Sequence, residues 1–237
     1  MARYKGFLKM QGSLGPLTIY LLNGEWVVRQ RYGPDAKTMA TNQNYTAQRN
    51  HAKEFGGVRR ASKLLREGFR RLVSELADPE MHGRMTKTLN AVKNLDMSPK
   101  GERTVARGLQ TPEGRAMLRG WNANQYGTVW KEAVQKAVLA LETHTLTLLH
   151  IDVVNAGKTI EVTVVWLVVD FEKGIWNAKE CPAVVLDPGG EAHWQRPSAL
   201  DGAAGEPFMV LATREMMKSG NRWVVSGDRR KMGLVVV

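Results

Sequence analysis

The sequence predicts an α+β fold with strands at both ends and helices between them. Three observations point to it: Asn23-Gly24 joins two strand-like runs, an apolar stripe at helical spacing runs from Phe55 to Leu76, and the hydrophobic period changes to two after Glu142. The expected parts are a β-hairpin or meander arm with its linker over residues 1–44, a basic helical domain over 45–136, and an antiparallel immunoglobulin-like β-sandwich over 137–237.

The runs LGPLTIYLL and GEWVVRQRYG flank Asn23-Gly24, the dipeptide that best tolerates the positive φ angles of a type I′ turn. KGFLKMQG before them adds up to one more strand. A two- or three-stranded ribbon is marginal in water, and its edge N–H and C=O groups need another strand. Its expected assembly residues are Tyr20, Trp26, Val28, Arg29 and Arg31.

After the polar link YGPDAKTMATNQN, residues 46–77 carry Phe55, Val58, Ser62, Leu65, Phe69, Leu72 and Leu76 on one stripe. The opposite side holds Arg49, Lys53, Arg59, Arg60, Lys63, Arg66, Arg70 and Arg71, six arginines to two lysines, which suits fork-like contacts to phosphates or carboxylates. Gly56-Gly57 marks a potential interruption. Asp78-Pro79, Ser98-Pro99 and Thr111-Pro112 each place a capping residue before a proline, the signature of a helix start. The stretch 121–136, with Gly127 and its aromatics, reads as a joint between halves.

From about Glu142 the runs THTLTLLHIDVV, KTIEVTVVWLVVDF, CPAVVL, EPFMVLATREM, NRWVVSG and MGLVVV alternate with Gly, Pro, Asn and Asp turns. Trp166 and Trp223 read as core; Trp26 and Trp194, among polar neighbours, read as contact residues.

Charge is divided unevenly along the 237 residues. Residues 1–120 hold 22 Lys and Arg against 10 Asp and Glu, a net +12, whereas residues 121–237 hold 12 against 13, a net −1. Clustered positive charge calls for an anionic partner, either a nucleic acid or an acidic protein surface. Cys181 is the sole cysteine, so no intrachain disulfide forms. The start lacks signal-peptide anatomy, and the longest apolar run, 162–169, is far short of the roughly 20 residues of a membrane helix. These features predict a chain without a membrane span that is cytoplasmic as synthesised, with export in an assembled particle or extracellular filament as the alternative.

Catalytic signatures are missing from the sequence: it has no Walker glycine loop, no G-x-S-x-G elbow, no H-E-x-x-H and no cysteine pair for zinc. The five histidines are dispersed, and Cys181 in its apolar run reads as a core residue. The expectation is a non-enzymatic protein with no cofactor and no metal.

The order GSLGPLTIYLLNGEWVVRQRYGP, QRNHAKEFGGVRRASKLLREGF and KGERTVARGL resembles a family of bacterial proteins of Bacteroidota type. Its members share a glycine-bounded hairpin, a T-R-x-N-x-x-E-F-G stretch and a G-K-L-L-R helix. The resemblance spans about residues 6–120, with Ala47-Gln48-Arg49-Asn50 standing in place of the T-R-x-N run and Ala61-Ser62-Lys63 in place of A-G-K. It implies architecture and a non-enzymatic role, and brings no activity with it. The leading expectation is a self-assembling structural protein, a homo-oligomer of filament, tube, virion or shell type built through the hairpin and sandwich. The alternative is a nucleic-acid-binding protein that uses the basic helical half, nucleocapsid-like where both hold.

Overall fold

The computed structural model describes residues 2–4, 11–30, 33–127, 131–150, 158–220 and 222–237. They form two compact units, 1–49 and 50–237.

In the first unit, β1 (Ala2–Tyr4), β2 (Gly12–Leu14), β3 (Leu17–Leu22) and β4 (Glu25–Gln30) make one antiparallel sheet in the order β1-β4-β3-β2. Asn23 and Gly24 both take positive φ, 51° and 81°, as the type I′ turn requires. The hairpin therefore finds strand partners within its own unit, β1 on one side and β2 on the other. Asp35 caps α1 (Ala36–Thr41) by accepting the Thr38 N–H at 2.6 Å. A short 3₁₀ turn, Gln43–Tyr45, leads into α2 (Thr46–Glu67).

The helical part of the second unit consists of α2 from Asn50 onward, α3 (Arg70–Leu76), α4 (Met81–Lys93), α5 (Val105–Leu109) and α6 (Pro112–Leu118). The apolar stripe of α2 is buried at Val58, Ser62 and Leu65 and continues through Phe69, Leu72 and Leu76, while Phe55 lies outside it and stacks on His51. The helix runs unbroken through Gly56-Gly57. Thr111 caps α6 with Pro112 at its first position, as expected. Ser98-Pro99 instead opens a turn, with Glu102 N–H bonded to Pro99 O at 3.0 Å, and the helix start moves to Thr104.

The remaining elements are β5 (Trp121–Asn122), α7 (Lys131–Thr143), β6 (Thr145–Leu149), β7 (Ile160–Asp170), β8 (Ile175–Glu180), β9 (Val184–Leu186), β10 (Glu191–Gln195), β11 (Glu206–Ser219), β12 (Arg222–Val225) and β13 (Met232–Val236). The main antiparallel sheet runs β5-β13-β11-β7-β8, with β9 added to β7 and β12 to β11; β6 and β10 form a separate two-stranded ribbon.

Both faces of the main sheet are buried. Val165, Leu167 and Val169 of β7, Phe208, Val210 and Ala212 of β11, and Leu234 and Val236 of β13 pack in one core with Leu65, Leu72, Met85 and Leu89 of the helices. Their neighbours Val164, Trp166, Met209, Leu211 and Val235 point the other way, against Ala133, Ala137 and Ala140 of α7 and Leu146, Leu148 and Trp194 of the ribbon. The strands thus do not form the two comparable facing sheets of the expected immunoglobulin-like sandwich. Alternation along a strand reports that a face is buried, not whether a helix or a sheet buries it. Residues 45–136 and 137–237, read from the sequence as separate parts, share one core. Two tryptophans exchange the roles expected of them. Trp194 is 5% exposed because β10 turns it onto the main sheet, and Trp223, on β12, is 48% exposed with Lys218 over its ring.

The helices pack closely enough to exclude a side chain at Gly108, where a Cβ would lie 2.1 Å from Val92 O. Gly108→Ala must push backbone apart, so it is expected to lower stability by about 2–3 kcal/mol. Denaturant titration checks this, and an unchanged midpoint would contradict the close packing of α4 on α5.

Candidate functional site

A recess of about 800 Å³ lies within the second unit, walled by α2, the segment 101–107 and the turn 171–174 between β7 and β8. The α2 wall holds Lys53, Gly57, Arg60, Leu64 and Glu67 in a stripe at 4-3-4-3 spacing, with Glu54, Val58 and Ala61 on one side of it and Lys63 on the other. Arg103 and Arg107 come from the second wall, Phe171 and Lys173 from the third, and Lys93 from the floor. Seven basic side chains line the recess against four acidic ones, Glu54, Glu67, Glu102 and Glu172, a surplus of three positive charges.

The floor is built on a buried ion pair. Lys93 Nζ donates to Glu54 Oε2 at 2.6 Å, with the two side chains 4% and 7% exposed, and the other oxygen of Glu54 accepts the Gly101 N–H at 2.6 Å. Burial pushes the Glu54 carboxyl up, but the Lys93 hydrogen bond, the Gly101 N–H and the positive charges of Lys93 and Arg103 outweigh it, so its pKa falls below the ordinary value. Asp96 fastens the same wall. Its carboxylate accepts the N–H groups of Ser98 at 2.9 Å and Thr104 at 2.8 Å and lies 3.6 Å from Arg107 Nε. Here too burial raises the pKa, and the Ser98, Thr104 and Arg107 contacts together lower it by more. Glu54 and Asp96 thereby hold the 96–104 loop on α2 and α4, which fixes Arg103 and Arg107 at the recess. Arg103 Nε donates to Ser98 O at 3.1 Å, and Arg107 reaches Ser98 Oγ and Glu102 O.

The eight basic residues singled out on the helix are put to different uses. Arg49 belongs to the first unit, where it donates to Met39 O and Asn42 O, both at 2.8 Å. Arg66 is half-buried and bonded to Ser62 O at 3.0 Å, and burial lowers its pKa. Arg71 is held by Glu75 and Glu180 in a network that continues through Arg214 to Glu161 and ties α3 to β8, β11 and β7. Lys63 lies 3.6 Å from Glu67. Arg59 and Arg70 are exposed and do not line the recess. Lys53 and Arg60 line it and, like Arg103, form no ion pair among the described residues. Helical spacing shows which side chains share a side, but not which of them have carboxylates waiting on other elements.

The hairpin residues divide between two faces. Trp26 and Val28 lie opposite Leu21 and Ile19, while Tyr20 and Arg29 lie opposite Val27 and Thr18 on the other face. Arg31 lies outside the described residues. Lys93, Arg103, Arg107, Phe171 and Lys173 join the candidate site only in the folded chain. One signal was present in the segment KGERTVARGL, whose arginines stand four apart, but only the fold brings it to α2.

No family model, curated protein or solved structure is significantly similar to the chain, so the resemblance over about residues 6–120 rests on its motifs alone. Among the described residues no three His, Cys, Asp or Glu side chains gather as metal ligands, and no helix is long and apolar enough to cross a membrane. The Cys181 thiol is pushed up by burial, with Lys179 opposing and Glu180 adding to the rise, which disfavours the thiolate.

Glu54→Gln removes the counter-charge of a buried ammonium and is expected to cost about 3–5 kcal/mol at neutral pH. Because the folded pKa of Glu54 is depressed, its stabilisation is complete above the unfolded value of about 4.3 and fades as pH falls through the folded value. Denaturant midpoints of the two proteins should therefore differ at pH 7 and converge in acid; a gap that stays constant to pH 2 would contradict this role.

Proposed function

We propose that the protein is a non-enzymatic binder of nucleic acid and that the basic recess is its phosphate site. The observation that carries this reading is the convergence on one concave surface of Lys53 and Arg60, which form no ion pair among the described residues, with Arg103, whose charge also acts on Glu54. A face that only keeps a helix in water more often mixes its signs, whereas this side of the helix carries eight basic residues and chiefly Glu67 among acids. Here three cations from two separate segments, none in a close ion pair among the described residues, line one concavity, where fields add. The excess charge of the first 120 residues favours approach of a polyanion, and arginine's fork suits phosphate oxygens. Oligonucleotide affinity measured by fluorescence anisotropy should fall with salt on a log–log slope of about −2 to −3 for a single strand. Replacing Lys53 and Arg60 together by Gln should make that slope shallower by about 1.4, while Arg71→Gln, which alters the ion-pair network instead, should leave it unchanged. Negligible binding at low salt, or a slope indifferent to Lys53 and Arg60, would remove the reading.

Self-assembly into a filament, tube, virion or shell is the second reading. It is supported by the first unit's sheet, where Leu14 and Leu21 are 65% and 51% exposed on the same face as Trp26 and Val28. The three-residue edge strands β1 and β2 favour a contact through that face over strand addition at an edge. Sedimentation across micromolar to near-millimolar concentration tests it: the mean mass should rise with concentration, and a single monomeric species throughout would exclude it.

A further inference from the structure

Resting on the nucleic-acid reading above, we infer that the recess accepts an unpaired base, whose ring enters the gap at Gly57 and stacks on Phe171. The dimensions favour a single strand or a free nucleotide over a duplex. About 800 Å³ is the scale of a small-molecule site. A duplex would instead rest on an open surface and offer its grooves to a protruding helix or ribbon.

Phe171 supplies an aromatic surface held in place. Its ring meets Phe208 edge-on, with centroids 6.1 Å apart and planes at 86°. The turn that follows is pinned by Asp170, whose carboxylate accepts the N–H groups of Glu172 at 3.0 Å and Lys173 at 2.9 Å. A preorganised ring at the edge of a basic recess is the arrangement on which splayed bases stack.

Gly57 is the second observation. It sits inside a 22-residue helix with helical backbone, and a Cβ built on it would meet nothing within 4 Å. Neither a left-handed conformation nor a close neighbour calls for glycine there, yet glycine in mid-helix costs about 0.5–1 kcal/mol relative to alanine. What its missing side chain leaves is space in the recess wall. Lys53 stands one turn before Gly57, and Arg60, one turn after it, turns its guanidinium back to 3.9 Å from the Cβ position of Gly56, so both cations border the gap where the phosphates of an inserted nucleotide would lie.

The test uses the full chain and four probes: a single-stranded thymidine oligonucleotide, its duplex with adenosine, inorganic polyphosphate, and a free nucleoside monophosphate as competitor. Gly57→Ala should raise the melting temperature and yet weaken oligonucleotide binding. Phe171→Leu, which retains apolar volume against Phe208, should weaken it about tenfold; both variants should bind polyphosphate like the parent, and the duplex should bind more weakly than the single strand. Competition by the monophosphate would identify a nucleotide site and its failure a strand site, and either outcome supports the inference if the variants behave as stated. Equal loss of oligonucleotide and polyphosphate binding, or no loss in either variant, would overturn base insertion while leaving the phosphate reading intact. No binding of any polyanion would overturn both.

Discussion

From Val162 to Val169 every residue of β7 is buried, and that two-sided burial is the constraint from which the second unit follows. A strand apolar on both faces needs a layer on each side. The antiparallel partners β11 and β13 extend the same alternation, so the sheet presents one face at Val165, Leu167 and Val210 and the other at Val164, Trp166 and Leu211. Helices α2 to α6 cover the first face. Helix α7, with a small-residue stripe of Ala133, Ala137 and Ala140, lies on the second beside the β6-β10 ribbon. Covering the first face with helices also sets the turn after β7 beside α2, which is why a recess forms between elements more than a hundred residues apart in sequence.

The recess is then shaped by polar groups that pack against the same layer. Glu54 and Asp96, two carboxylates with lowered pKa values, collect the N–H groups of Gly101, Ser98 and Thr104 and the ammonium of Lys93. Unmatched, these groups would be costly to bury; matched, they fasten an irregular loop rigidly enough to present Arg103. Positive charges held in ion pairs are separated accordingly from those left without one. Lys93 and Arg71 are bound to carboxylates, and Lys53 and Arg60 are not.

Much of this was legible in the residues. The α+β class, the type I′ turn at Asn23-Gly24, the buried stripe from Val58 to Leu76 and the cap at Thr111 follow from periodicity and local chemistry, which act over a few residues. What could not be read depended on long-range partners. The pairing of β1 with β4, the burial of Trp194 on β10, and the helical cover of a sheet expected in an immunoglobulin-like sandwich all rest on partners distant in sequence. The basic side of α2 was visible as a side. Its division into paired and unpaired cations was not, because Glu180, Arg214 and the 101–107 segment reach it only in the folded chain.

The central claim is that one recess, and not the basic surface at large, receives the anion. Hydrogen exchange of the full chain with and without a saturating single-stranded oligonucleotide tests it most directly. The account predicts added protection at amides of 101–107 and 171–174 and along α2 from Lys53 to Glu67. Protection spread evenly over exposed arginines such as Arg59, Arg70 and Arg222, with those segments unchanged, would contradict it.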